Sequence, residues 1–152
     1  MRKFVLALSL AAFAACPAAA SDTSDVEATV KQYNDDFNKG DVKAAVALCT
    51  AQTIIIDDFP PHAWQGANSC MDWANAIAAY DKKSGIANEV VTIGKALHVA
   101  VTGDRAYAVY PTHYTYMQNG KPVKEQGVWT FALQKVADGW RIAGWAWAQG
   151  GR

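Results

Sequence analysis

Apolar residues recur at helical spacing in the first part of the chain. Ser24, followed three residues later by Glu27, forms a capping box, and Gly40 is a typical helix terminator. The pattern therefore predicts a first helix that begins near Ser24 and ends before Gly40. Its apolar face consists of Val26, Val30, Tyr33 and Phe37.

Two more helices and a strand are predicted before residue 86. Asp41 can cap a second, short helix, and the β-branched run 53–56 predicts a strand. A third helix is predicted to begin at Asn68 or Ser69 and to close at residues 82–85. Its apolar face consists of Cys70, Trp73, Ile77 and Tyr80.

From Ile86 onward the pattern changes to alternation interrupted by tight turns. The turns are Gly103-Asp104, Asn119-Gly120 and Asp138-Gly139, and Asn-Gly is a strong hairpin signal. The second half is therefore predicted to be a strongly bent antiparallel sheet.

The turns also predict which residues share a face of this sheet. A two-residue loop at 119–120 sets Tyr116 opposite Val123, Tyr114 opposite Glu125, Thr112 opposite Gly127, Tyr110 opposite Trp129 and Ala108 opposite Phe131. A three-residue loop at 137–139 sets Leu133 opposite Ala143, Phe131 opposite Trp145 and Trp129 opposite Trp147. A two-residue loop at 103–104 adds Val101, Val99 and Leu97 to this face, opposite Ala106, Ala108 and Tyr110. We expect the helices to cover this bulky face.

Four segments carry a family resemblance: IIDDFPPHAWQG (55–66), VTGDRAY (101–107), GKPVKE (120–125) and GWRIAGWAW (139–147). Together with the order of elements, they resemble the SnoaL-like branch of the nuclear transport factor 2-like superfamily. The resemblance implies an α+β cone: three N-terminal helices packed on a strongly curved antiparallel sheet, in one domain over residues 21–152. Its members include isomerases, dehydratases, cyclases and non-catalytic binding domains, so it implies no single reaction. No active-site motif of these relatives matches residue by residue.

The first 20 residues have the pattern of a signal peptide. Arg2 and Lys3 precede an apolar run, and residues 18–20 form a small-residue cleavage site. We therefore expect cleavage after Ala20 and a periplasmic or secreted product. An uncleaved anchor and a lipoprotein beginning at Cys16 are the alternatives. No later stretch is long and apolar enough to span a membrane.

Cysteine content and charge bear on the cellular compartment and on the kinds of partner the protein can bind. Cys49 and Cys70 permit a disulfide in an oxidising compartment, or they are two small buried apolar residues. The chain has 14 basic and 14 acidic residues, without a basic cluster. Binding of nucleic acid is therefore not expected.

Aromatic residues on the helix-covered face suit a pocket for a small, largely apolar molecule. The ligand-binding candidates are Trp64, Trp73, Tyr110, Tyr114, Trp129 and Trp147. Tryptophans at such positions also serve as ordinary core residues. The first functional hypothesis is accordingly a binding domain without catalysis.

The second hypothesis is a cofactor-independent lyase, isomerase or cyclase that uses a carboxylate as general base. Its catalytic candidates are Asp58, His62 and Glu125. If Ile54 and Ile56 face the core, strand alternation directs Asp58 into the cone, where His62 can reach it. The alternatives are turn formation by the aspartates and a solvated Glu125 at the open end of the sheet.

Cofactors, metals and assembly complete the expectations. The three histidines and the cysteines do not stand at metal-ligand spacing, and we expect neither a metal nor a cofactor.

The face opposite the helices carries Tyr107, Val109 and Pro111. This apolar surface suggests a homodimer.

Overall fold

The computed structural model describes residues 17–150. The helices are α1 (Pro17–Asn38), α2 (Val42–Ala47) and α3 (Ser69–Ser84). The strands are β1 (Cys49–Ile56), β2 (Ala63–Trp64), β3 (Ile86–Ile93), β4 (His98–Thr102), β5 (Arg105–Gln118), β6 (Lys121–Val136) and β7 (Gly139–Gln149). No helix in this part of the chain is both long and apolar enough to cross a membrane.

The predicted start of the first helix is wrong. Helix α1 already includes Pro17, and Ser24 lies inside it, where its hydroxyl donates to the backbone oxygen of Ser21. A serine inside a helix can bond back to the preceding turn, so a capping-box pattern alone does not fix the start. The other helices match expectation: Asp41 accepts from the N–H of Ala44, and Gly85 ends α3 at φ +68°.

The α+β class is confirmed, since three helices accompany one mainly antiparallel sheet. The strand order is β2-β1-β7-β6-β5-β3, and β4 also pairs with β5. One pair differs from the expectation, because β1 runs parallel to β7. Most of the domain separates these two strands along the chain, so no hairpin imposes an antiparallel direction on them.

The predicted register of the β5–β6 hairpin is correct for all five pairs. The β6–β7 loop has two residues rather than three, and Leu133 therefore pairs with Ile142 instead of Ala143. A register shift between Ala132 and Leu133 then restores the expected pairs of Phe131 with Trp145 and Trp129 with Trp147.

The β4–β5 hairpin holds the predicted pairs of Val101 with Ala106 and Val99 with Ala108. Leu97 does not join the covered face. It precedes β4, and 64% of its surface is exposed.

The core lies between α1 and the sheet. Val26, Val30 and Tyr33 of α1 are fully buried, as are Phe131 and Ile142 of the sheet. The indole N–H of Trp145 donates to the Tyr33 hydroxyl at 2.9 Å, which satisfies both groups inside the apolar layer.

The two cysteines form a disulfide. Cys49 at the start of β1 is bonded to Cys70 in the first turn of α3. The side chain of Cys70 is almost completely buried. The bond therefore fixes the N-terminal end of α3 against β1, the strand that leads into the candidate site.

Candidate functional site

A cavity of about 250 Å³ opens between α3 and the covered face of the sheet. Four tryptophans supply much of its wall: Trp73, Trp129, Trp145 and Trp147. Five carboxyl groups also line it: Asp57, Asp58, Asp81, Glu89 and Glu125. The cavity is thus aromatic and acidic, and more polar than the largely apolar pocket expected from the sequence.

The burial pattern of β1 decides which aspartate turns inward. Ile55 is fully buried, whereas Ile54 and Ile56 are 55% and 53% exposed. The prediction that Asp58 points into the cone depended on Ile54 and Ile56 facing the core, and it is therefore wrong. Asp57 shares the parity of Ile55 and is partly buried, while Asp58 is exposed at the cavity rim.

Asp57 is held by two hydrogen bonds. Its Oδ2 accepts the indole N–H of Trp73 at 2.8 Å, and its Oδ1 accepts the backbone N–H of Asp58 at 2.8 Å. Burial raises the pKa of Asp57 to about 6, although both hydrogen bonds favour the charged form and lower it. The result is a carboxylate in a fixed position, mostly ionised at neutral pH and basic enough to accept a proton.

A second acidic group lies where α3 faces β3. Burial and the neighbouring carboxylate of Glu89 raise the pKa of Asp81 to about 7. Glu89 also accepts the hydroxyl hydrogen of Tyr114 at 2.5 Å. Burial and this carboxylate raise the pKa of Tyr114 well above its usual value, so its hydroxyl stays protonated. Asp81 can therefore hold a proton at neutral pH, beside a carboxylate already engaged by a phenol.

Glu125 forms the third polar pair. It stands opposite Tyr114 in the predicted register, but its Oε1 accepts from the Tyr116 hydroxyl at 2.9 Å. Burial and this carboxylate raise the pKa of Tyr116 to about 12. Glu125 is half-buried in the cavity wall, so it is neither fully enclosed nor simply solvated.

His62 lies away from the cavity. Its side chain is exposed, and its Nδ1 lies 3.3 Å from the backbone oxygen of Asp57 rather than beside the Asp58 carboxylate. The loop after β1 has a positive φ of 72° at His62 and a cis bond between Pro60 and Pro61. The predicted pairing of Asp58 with His62 is therefore wrong.

The aromatic candidates divide into two groups. Trp73, Tyr114, Trp129 and Trp147 line the cavity. Trp64 instead packs on Phe59 with 4.9 Å between ring centroids, and Tyr110 is buried near Phe131 at 6.2 Å. Neither of these last two residues lines the cavity.

Gly127 allows one of these tryptophans to lie against the sheet. A Cβ at Gly127 would come within 2.6 Å of the Trp147 ring. Trp147 is fixed there because its indole N–H donates to the Thr112 hydroxyl at 3.0 Å. The missing side chain at 127 thus defines part of the cavity wall.

Sequence reasoning missed Asp81 and Glu89 as site residues, and of the two adjacent aspartates it chose Asp58 rather than Asp57 as the candidate base. Asp81 stands four residues after Ile77, on the apolar face predicted for α3, so helical spacing could have found it. Glu89 alternates with Val91 on β3, which is also a usable signal. No comparable signal exists for Asp57. Three consecutive isoleucines in β1 show no alternation of apolar and polar residues, so the sequence does not indicate which face of the strand is buried.

Asp81 provides a test of these electrostatics through stability. Its raised pKa means that its contribution to stability is fully present below about pH 3.8 and is lost as the pH rises through about 7. Asp81→Asn should therefore stabilise the protein above pH 7 by about 1–3 kcal/mol, or several degrees in Tm. The gain should vanish near pH 3.5. Thermal unfolding of both proteins across this range measures it, with Asp72→Asn, on the exposed side of the same helix, as the control. A loss of stability at pH 8 would contradict the assignment.

Helices covering one face of a mainly antiparallel sheet, with a cavity between the layers, place the protein in the class of α+β cone domains. Residues 26–146 match the family of SnoaL-like domains, and the chain belongs to that family. The resemblance inferred from the sequence is thereby confirmed.

Solved structures agree on the fold. A ketosteroid isomerase-like protein from Erwinia carotovora atroseptica SCRI1043 superposes with a TM-score of 0.70 and 19% identity, covering 86% of this chain and 98% of that one. A nuclear transport factor 2-like protein from Salmonella enterica serovar Typhimurium LT2 gives 0.73 and 16%, with 88% and 94% covered.

A more distant sequence has a similar fold. The hexachlorocyclohexane dehydrochlorinase LinA-type3 from Novosphingobium barchaimii LL02 gives a TM-score of 0.74 at 7% identity, covering 88% of this chain and 89% of that one. No curated protein sequence matches the chain. At these identities the neighbours establish the fold alone.

Proposed function

We propose that this protein is a cofactor-independent enzyme that transfers a proton within a small molecule, as an isomerase or a lyase does. The observation that carries the proposal is Asp57. Its carboxylate lines the cavity, is fixed by Trp73 and the N–H of Asp58, and has a pKa raised by burial to about 6. These are the properties of a general base that works near neutral pH.

The other end of a proton transfer is assigned to Asp81. Asp57 and Asp81 line the same cavity, and burial raises the pKa of Asp81 further, to about 7. Between these values Asp57 is mainly ionised and Asp81 mainly neutral. Asp57 can then accept a proton from carbon, while Asp81 donates a hydrogen bond or a proton to the oxygen or leaving group that gains charge.

The names of the neighbours fit this chemistry without identifying the substrate. One is called ketosteroid isomerase-like and another a dehydrochlorinase. The proposal for this chain rests on its own carboxyl groups, and the SnoaL-like family leaves the reaction open.

A binding domain without catalysis is the second candidate, and one observation favours it. Both oxygens of Asp57 already accept a hydrogen bond, and the hydroxyls of Tyr114 and Tyr116 both donate to carboxylates. Such mutual bonding could serve only to hold the cavity wall in shape.

Deuterium incorporation distinguishes the two candidates. The protein is incubated in D₂O at pH 6.5 with small carbon acids, including cyclohexanone and 3-cyclohexenone, and exchange is followed by NMR. Conversion of 3-cyclohexenone to its conjugated isomer is followed by absorbance. Catalysed exchange or isomerisation supports the enzyme. Binding of these compounds without acceleration above buffer favours the binding domain.

Export and pairing complete the proposal. A disulfide is typical of oxidising compartments, and the core residues Val26, Val30 and Tyr33 all follow the expected cleavage point. N-terminal sequencing of the mature protein tests cleavage after Ala20.

A homodimer is proposed through the outer sheet face, where Tyr107 is 47% exposed, and light scattering at micromolar concentration tests it.

A further inference from the structure

The charges around the cavity do not balance. Five carboxyl groups line it, and among the described residues its lining includes neither Lys, Arg nor His. The nearby Lys82 and Lys83 of α3 are exposed and lie outside it. Carboxylates concentrated in a partly enclosed space repel each other unless protons or a bound cation compensate them.

One of these carboxyl groups, Asp81, has a buried oxygen that nothing in the described structure compensates. Only 8% of its surface is exposed, and its Oδ1 is buried without a hydrogen-bond partner. Its neighbour Glu89 accepts from Tyr114 and cannot, as a carboxylate, supply a donor. A buried acceptor of this kind usually has a partner, and an N–H group of a ligand would provide one.

A metal ion fits this cavity poorly. Within residues 17–150, no three His, Cys, Asp or Glu side chains come together in an arrangement that could hold one. The carboxyl groups are instead distributed among aromatic rings, such as Tyr114 and Tyr116, whose centroids lie 4.6 Å apart. Aromatic faces and separated carboxylates are the surroundings that proteins provide for organic ammonium groups.

We propose that the molecule taken up by this cavity is an organic cation, a protonated amine whose apolar body lies against the tryptophans. Its ammonium group donates to Glu89 and to the unpartnered Oδ1 of Asp81, an oxygen that accepts an N–H whether or not the other oxygen of Asp81 carries a proton. This inference rests on the proposed function in one respect, the use of the cavity as a small-molecule site. It specifies the substrate class, which the general base alone leaves open.

Matched ligands test it. Benzylamine, protonated at pH 7.5, and benzyl alcohol have nearly the same shape and differ in charge. Isothermal titration calorimetry should show benzylamine binding at least about tenfold more tightly than the alcohol, because only the amine gains charge-assisted hydrogen bonds and cation–π contacts.

Asp81→Asn supplies the residue-level test. It should reduce the affinity for benzylamine about tenfold or more and change that for benzyl alcohol less than twofold. Asp72→Asn removes the same charge from the exposed side of α3 and should change neither affinity.

Three results would overturn the inference: equal affinity for the two ligands, unchanged amine affinity in Asp81→Asn, or no amine binding at millimolar concentration. The proposed function fails on a different observation. Deuterium exchange depends on Asp57 and is measured with neutral ketones, so exchange without amine preference rejects the cation alone. Amine preference without exchange, both in these ketones and in a protonated amino ketone such as tropinone, rejects the enzyme alone.

Discussion

Asp57→Asn is expected to lower the rate of carbon-acid exchange by about 10²–10⁴-fold, the usual contribution of a positioned general base. The amide cannot accept a proton from carbon, yet its oxygen can still accept the indole N–H of Trp73. The backbone N–H of Asp58, which bonds to Asp57 in the wild type, belongs to an exposed residue and can bond to water instead. Exchange rates from NMR in D₂O measure the effect.

Stability separates this role from a structural one. Because the pKa of Asp57 is raised to about 6, its contribution to stability is fully present below about pH 3.8 and lost as the pH rises through 6. At pH 7 the Asn variant should therefore be about as stable as the wild type, or more so. A lower Tm with normal exchange would show that Asp57 only shapes the turn.

The neighbouring carboxylate provides the matched comparison. Asp58→Asn alters the same loop at an exposed position on the cavity rim. If it abolishes exchange while Asp57→Asn does not, the base is Asp58, as the sequence first suggested. The pH profile adds a second criterion: the wild-type rate should rise through about pH 6 and fall again near 7, as Asp57 and then Asp81 ionise.

Turn chemistry made much of the sheet predictable. An Asn-Gly loop has few geometries, and its two-residue length set every residue pair of the β5–β6 hairpin. The three-residue loop predicted at 137–139 is wrong, because Asp138-Gly139 fits loops of two or three residues and the structure has two. The far pairs of Trp129 and Phe131 were nevertheless correct because a register shift compensates for the loop.

The candidate site was less predictable because it depends on contacts between distant segments. Glu125 and Tyr114 were placed correctly by register, but their hydrogen bonds go to Tyr116 and Glu89. The aspartate that turns inward can be identified only when it is known which alternate residues of β1 face the core. That choice of face is fixed by buried Thr53, whose hydroxyl donates to the backbone oxygen of Ile142, 89 residues later. Local periodicity does not contain this information.

The disulfide is expected to contribute a large share of the stability of the fold. Replacing Cys49 and Cys70 together by Ala should cost about 2–4 kcal/mol, because the bond closes a loop across a separation of 21 residues and restricts the unfolded chain. For a domain of this size the loss corresponds to a fall in Tm on the order of 5–15 °C. Urea unfolding measures it, in a background where Cys16 is replaced by Ser.

Reduction provides the control for that experiment. Dithiothreitol should lower the urea midpoint of the protein with both cysteines and leave the double-Ala variant unchanged. Equal midpoints for all samples would mean that the bond does not stabilise the fold. The bond also holds α3 against β1, and these two elements carry Asp81 and lead to Asp57. Benzylamine affinity and exchange rate should therefore both fall in the double-Ala variant even at temperatures where it remains folded, since the carboxyl groups lose their fixed separation.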